Sequence, residues 1–292
     1  MTLYQKARTN AKQFKAVCSL SIEKFDILLP VFEANWLDFI EKYNLDGTRR
    51  LRKYVPKNET QLPTVSEKLF FLLYYKKNNT LQESLALHFD LDVSMVNKWI
   101  HVLTPILNKS LEKYLPKSNI ANVDFQIDEK YIIDGTEYPI QRDTYDQETF
   151  YSGKKKTHTF KNALIVSAIG LVMWLSKTYV GKVHDKPMVG SLEFKVNVTL
   201  LADLGFKGWI PRNVLMLPHK KPRDTKTEKK QLTQEQRDFN KSLSKERVKV
   251  EHVLAHVKVL RIIKDKNRNY KFGFRENLMK TACGLHNFRI ST

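Results

Sequence analysis

Cysteine is scarce: Cys18 and Cys283 are the only two in 292 residues. Two thiols make neither a disulfide framework nor a zinc site, so both are expected as ordinary reduced thiols in a reducing compartment. Long apolar runs are missing too. The longest, Ala163 to Leu175, is too short to span a bilayer and contains Ser167 and Gly170. It reads as buried strand, and no membrane partner is expected. Residues 1–15 are basic and polar, without the apolar stretch of a secretory signal. No internal repeat is found. Acidic side chains are outnumbered, 31 against 50 basic, which leaves a net charge of +19. So large an excess favours a polyanionic partner, because each phosphate neutralised releases condensed counterions. The basic excess runs through both halves of the chain, so DNA contact is expected from both.

What is present is globular. Hydrophobic residues make up 42%, enough to bury a core in one large domain or in a small one plus a larger one. The first third reads as helical. Ser21 to Tyr43 carries Ile22, Phe25, Leu28, Leu29, Phe32, Trp36, Leu37 and Ile40 at helical spacing, with Pro30 making it two helices or one kinked helix. A basic linker with Pro56 and Pro63 follows. Three helices are then expected: Ser66–Lys77, Thr80–Phe89 with Thr80 and Glu83 as a capping box, and Ser94–Leu107 capped by Ser94. Asp90 to Val93 is a short turn, so the last two have helix-turn-helix spacing and offer Met95, Asn97, Lys98 and His101 outward. Asn97 and Lys98 are the candidate DNA contacts there.

Beyond the linker Lys117–Asp124 the pattern becomes α/β. Strands are expected at Gln126–Tyr138, His158–Ile169, Leu171–Val180, Asn197–Ala202 and Asn213–Leu217. Lys186–Phe194 is a candidate helix, and the charged stretch Arg223–Arg237 a mobile loop. Lys241–Ile263 is a long amphipathic helix with Leu243, Val248, Val250, Val253, Leu254, Val257 and Leu260 on its apolar side. A final helix covers Arg275–Phe288. The expected domains are 1–60, N-terminal helices and basic linker; 61–118, helix-turn-helix; and 119–292, catalytic.

Three acids interrupt apolar patterns. Asp134 follows Tyr131-Ile132-Ile133, Asp203 closes Val198 to Ala202, and Glu251 is placed on the apolar side of the long helix between Val250 and Val253. A charge there is costly unless it is paired or bound to metal. One such residue is more often a buried salt bridge or a strand-end cap. Three, all acidic in a basic protein, suit hard divalent cations and an in-line phosphoryl transfer. Asp128, Glu129, Glu137 and Asp185 are rival carboxylates. Lys154, Lys155, Lys156, His158 and Lys161 form a basic turn before a strand and are candidate phosphate contacts, as are His219, Lys220, Lys221 and Arg223. Trp209 has two readings, stacking on an unpaired base or packing in the core.

The stretches DGTEYPIQR (134–142), FYSGKKKTHTFKN (150–162), GKVHDKP (181–187), ADLGFKG (202–208), LPHKKPR (217–223) and NKSLSKERVKVEHVLAHVK (240–258) occur in this order. Together they resemble the insertion-sequence-five transposases and their PIF/Harbinger relatives, over about 115 to 292. The resemblance implies an α/β fold: a ribonuclease H-like mixed-sheet catalytic domain preceded by an all-α helix-turn-helix region. It assigns the catalytic and metal-binding roles of a DDE transposase to Asp134, Asp203 and Glu251. Arg247 and Lys258 take the flanking cation positions of the family signature, and Ser244 stands where related groups have Tyr. Asp185 lies in the HD pair and is not counted as a ligand. Two divalent ions are implied, magnesium with manganese as the alternative. So are double-stranded DNA partners (terminal inverted repeats and target) and a homodimer or larger synaptic complex. The implied setting is the cytoplasm of a bacterial host, at the nucleoid. A domesticated DNA-binding protein, or a nuclease without strand transfer, is the alternative.

Overall fold

Three side-chain oxygens start the first helices in the computed structural model, which describes residues 1–55, 61–142, 146–190, 192–209, 211, 213–222, 231–269 and 271–292. Thr2, Asn10 and Ser21 each accept an amide in the first turn of α1 (Leu3–Arg8), α2 (Ala11–Cys18) and α3 (Ile22–Lys42). Phe25, Leu28, Phe32, Trp36 and Ile40 are buried along α3. Pro30 sits inside this helix without ending it, which excludes the two-helix alternative. Proline removes one backbone hydrogen bond, and burial of that face outweighs it at about 1.5–3 kcal/mol per large side chain.

Thr64 and Glu67 form a complete capping box at the start of α4 (Val65–Asn78). Then come α5 (Gln82–Phe89) and α6 (Val93–Ser110), joined by a short turn. The caps expected here are corrected. Leu81, not Thr80, is the N-cap of α5; Asp92, not Ser94, is that of α6; neither makes a side-chain cap bond. Leu85, Val96, Trp99 and Leu103 face inward, and their burial rather than a cap fixes these two helices.

From residue 116 onward the chain builds a mixed sheet. Its elements are β1 (Lys130–Pro139), α7 (Gln147–Phe150), β2 (Tyr151–Ser152), β3 (Thr157–Val166), β4 (Val172–Leu175), β5 (Tyr179–Val180), β6 (Thr199–Leu201) and β7 (Val214–Met216). The strand path is β2-β3-β1-β6-β7, with β4 and β5 also paired to β3. β3 is antiparallel to β1, whereas β6 and β7 add in parallel on its other side. This is the expected ribonuclease H-like mixed sheet. Phe160 to Val166 of β3 are all buried, which explains their near-continuous apolar run. Tyr131, Ile133, Ile165, Trp174, Leu200 and Phe206 share one core with Trp209. Trp209 therefore packs inside rather than offering a stacking face. The candidate helix at Lys186–Phe194 is only a 3-10 turn, Lys186–Met188, with Pro187 in its first turn.

The long helix, α8 (Gln234–Val257), begins before Lys241 and takes in the end of the charged stretch expected as a loop. Residues 223–230 of that stretch lie outside the described residues. It stops at Val257 rather than Ile263, and after a turn the chain continues as α9 (Arg261–Lys264) and α10 (Phe272–Ser291). Residues 1–115 with 257–292 form one compact unit, and 116–256 form the other. The return of the C-terminal segment to the helical unit differs from the division expected at 60 and 118. Cys18 and Cys283 are both buried and in no disulfide, and burial pushes each thiol up to about 12. No described helix is long and apolar enough to cross a membrane.

Candidate active site

In the parallel pair of β1 and β6, Ile132 stands opposite Leu201. Asp134 and Asp203 each lie two residues further on, so both emerge beyond the same end of the paired segment. The carboxyl ends of parallel strands are where ligand crevices form in open α/β sheets. Asp134 continues within β1, opposite Leu164 of β3. Asp203 has left its strand and caps the 3-10 turn Leu204–Phe206. The Gly135 amide donates to Asp134 Oδ1 and the Gly205 amide to Asp203 Oδ1, both at 2.8 Å. The second oxygen of each has no hydrogen-bond partner among the described residues.

Asp134 is half-buried, and burial is the largest influence pushing its carboxyl up to about 6. The Gly135 amide and Arg247 pull it down, while Asp203 and Asp185 push it further up. Asp185, in the loop after β5, is raised as well, again first by burial. Its position follows from two glycines. A Cβ at Gly135 would stand 3.1 Å from Asp185 Oδ1. A Cβ at Gly205 would stand 2.7 Å from Asp185 Oδ2 and 2.9 Å from Asp203 Oδ1. The missing side chains let Asp185 crowd against the two aspartates. Sequence reasoning did not count it as a ligand; the HD pair was the signal that it belongs here. Of the other rivals, Asp128 and Glu129 are exposed, and Glu137 is paired with Lys161.

Glu251 is not where its sequence neighbours suggested. It is exposed, while Val250, Val253 and Val257 carry the buried face of α8. The next residue on a helix is turned by about 100°, which moves Glu251 off the line through Val250. Val248 is exposed for the same reason. Among the described residues no three or more His, Cys, Asp or Glu side chains gather closely enough to hold an ion. Arg247, one turn before Glu251, does reach the site: its charge acts on Asp134, and its Nε is buried with no hydrogen-bond partner among the described residues. Ser244 is exposed on the preceding turn. Lys258 is half-buried in the turn directly after α8. The oxygen donors of Asp134 and Asp203 fit a hard divalent cation; the third expected carboxylate is not gathered with them.

The basic candidates separate into two kinds. Lys154, Lys155 and Lys156 are exposed in the tight turn between β2 and β3, where Lys156 adopts a left-handed φ of 52°. His158 is half-buried, with its ring edge-on to Tyr151. Lys161 does not belong to that surface turn. It is buried, paired with its cross-strand partner Glu137 at 3.2 Å, and donates to the Val183 carbonyl at 2.9 Å. Glu137 Oε2 also accepts from Thr159. His219, Lys220 and Lys221 follow β7, and all three are exposed. Their loop is tied to α8, because Asn240 exchanges two hydrogen bonds with the His219 backbone. On α6, Lys98 is exposed and Asn97 donates to Gln82 of α5. His101 is not offered outward: its ring packs edge-on against Phe274, and burial pulls it down to about 4.

A family model described as DDE superfamily endonuclease matches residues 133–287. Over its full length the chain is 26% identical, across 297 residues, to a probable transposase for insertion sequence element IS702 from Microchaete diplosiphon; the match covers 100% of this chain and 99% of that protein. No solved structure matches.

Proposed function

The chain belongs to the DDE superfamily endonucleases, and on that premise we propose that it is the transposase of a mobile element. It binds the element's terminal inverted repeats, cuts the DNA ends with water as nucleophile, and joins the freed 3′-ends to target DNA. The observation that carries this reading is the pair Asp134 and Asp203, each two residues past the paired segment of β1 and β6, in a chain of net charge +19.

Asp134, Asp203 and Glu251 are the carboxylates that would hold two divalent cations, magnesium or manganese, which when bound activate the attacking oxygen and stabilise the leaving one. Glu251 completes the set when DNA orders this face of α8. Arg247 contributes a buried donor beside Asp134, unpartnered among the described residues and suited to a phosphate oxygen of the scissile strand. Ser244, on the same helix, supplies a hydroxyl for a neighbouring phosphate. Lys154, Lys155, Lys156, His158, His219, Lys220 and Lys221 hold the DNA backbone, each neutralised phosphate adding counterion release. Lys98 and Asn97 on α6 contact the repeat end, as the second helix of a helix-turn-helix pair would. Two ends must meet for transfer, so the working form is a homodimer or larger complex, at the nucleoid of a bacterial cell.

The test is cleavage of labelled element-end DNA by the full chain with Mg²⁺. Cleavage by wild type and its loss in Asp203→Ala support the reading. Equal cleavage by both overturns it. Strand-transfer products in the same reaction separate a transposase from a nuclease that only cuts.

A further inference from the structure

Asp185 has no role in the three-carboxylate scheme, yet the fold holds it in place from several directions. The loop that carries it is fixed at both sides. On one, buried Lys161 donates to the Val183 carbonyl while paired with Glu137. On the other, Met188 and Val189 are sunk in the sheet's core. The Met188 amide closes the turn onto the Asp185 carbonyl at 3.1 Å. The side chain is thereby held against two glycines that directly follow, or nearly follow, the two site aspartates. Both Gly135 and Gly205 leave open the space where a Cβ would meet an Asp185 oxygen. At Gly205 the same Cβ would also meet Asp203 Oδ1 at 2.9 Å. The charges that favour a carboxylate there are those of Lys161 and Lys154. A neutral side chain of the same shape would fill the place without bringing a third negative charge beside two others.

Resting on the divalent-cation reading above, we propose that Asp185 is a positioning residue of the active centre: its fixed charge raises the affinity of Asp134 and Asp203 for the cation. Two features give this a distinctive signature. Without the cation, burial first and then the charge of Asp203 weigh against the Asp185 carboxylate more than Lys161 and Lys154 favour it, so its charge is a burden on the folded state. With the cation, the same charge favours binding. A side chain present only for packing shows neither effect.

The probe is Mn²⁺ alone, titrated into the full-length, DNA-free protein, with free ion followed by electron paramagnetic resonance. Thermal melting is recorded in parallel without metal. The variants are Asp185→Asn and, as a second shape, Asp185→Ser, beside Asp203→Asn. Both Asp185 variants are expected to bind Mn²⁺ about tenfold or more weakly, the usual effect of removing an outer carboxylate. Their metal-free melting points are expected to equal or exceed that of wild type. Asp203→Asn is expected to lose binding more deeply. Wild-type affinity in both Asp185 variants with weakened binding in Asp203→Asn overturns this proposal and leaves the transposase reading standing. Wild-type affinity in Asp203→Asn overturns the cation reading itself. A lowered metal-free melting point in both Asp185 variants makes the residue structural and also overturns the proposal.

Discussion

Asp134 and Asp203 stand the same two residues beyond one paired couple, Ile132 and Leu201, of the parallel strands β1 and β6. That equal offset brings them together although they are 69 residues apart in sequence (203 − 134). Each has its Oδ1 held by the next available glycine amide and its Oδ2 free among the described residues. Replacing either by asparagine keeps the amide bond and the shape but removes the charge. A cation stabilising developing charge supplies several kcal/mol, so its loss costs about a thousandfold in rate. DNA cleavage by Asp134→Asn and Asp203→Asn is therefore expected to fall by about that factor, with circular dichroism unchanged. Gel assays showing either variant within tenfold of wild type would remove that residue from the catalytic set.

The burial of Asp134 makes a separate prediction about stability. Its carboxyl rises from 3.8 to about 6 on folding, so the charged form is the disfavoured one in the folded chain. Between those values the folded state binds more protons than the unfolded, and stability contributed by this group falls as pH rises through the window. Allowing for its partial exposure, the cost at neutral pH is about 2 kcal/mol. Urea denaturation of metal-free protein is the measurement. Asp134→Asn should match wild type near pH 4 and exceed it by about that amount at pH 7. A difference between the two proteins that stays constant from pH 4 to 7 would show that Asp134 does not titrate in this way.

Glu251 tests the same site from the helix side. It is exposed, so nothing in the core depends on it, and surface changes of this kind alter stability by about 0.5 kcal/mol or less. Glu251→Gln is expected to melt as wild type does while losing cleavage as deeply as the aspartate variants. Arg247→Lys is the companion. Lysine keeps the charge but loses the buried Nε donor, so its cleavage defect should exceed any loss of DNA affinity in a gel-shift titration. Full cleavage by Glu251→Gln would assign the third carboxylate elsewhere.

The asymmetry between these acids explains what was legible in the sequence. Asp134 within β1 and Asp203 just past β6 break apolar strand runs, and a period of two residues makes such an acid stand out. The mixed sheet was legible from β3, whose end Ala163 to Val166 is wholly apolar. Glu251 was misplaced because a helix turns: flanking valines in sequence are not flanking side chains in space. Lys161 and Glu137 could not be paired from the sequence, since their meeting depends on the antiparallel register of β1 and β3. Asp185 was visible as a residue but not as a neighbour, because its position is set by a loop anchored through Lys161 and by two distant glycines. The caps of α5 and α6 failed for another reason. Thr80 and Ser94 have the right chemistry, but inward residues such as Leu85 and Val96 decide where the helices start.

Lys161 and its sequence neighbours Lys154 to Lys156 give the last prediction, because one basic cluster in the sequence becomes two environments in the fold. Lys161 is 9% and Glu137 10% exposed, and they form a buried pair. Lys154, Lys155 and Lys156 are exposed at the β2–β3 turn. Removing one partner of a buried pair strands the other charge, at a cost of about 3–5 kcal/mol. Lys161→Met is thus expected to lower the melting temperature sharply, and Lys161→Met with Glu137→Leu to recover much of the loss, since neither then leaves a charge behind. Joint replacement of Lys154, Lys155 and Lys156 by alanine should leave melting nearly unchanged. Its effect is on DNA: affinity falls for any sequence, and the slope of log affinity against log salt becomes shallower by about 0.9 for each phosphate that is no longer neutralised. Calorimetric melting and salt-dependent anisotropy binding on both variants separate the two roles. A stable Lys161→Met protein with a reduced salt slope would return Lys161 to the DNA-binding surface.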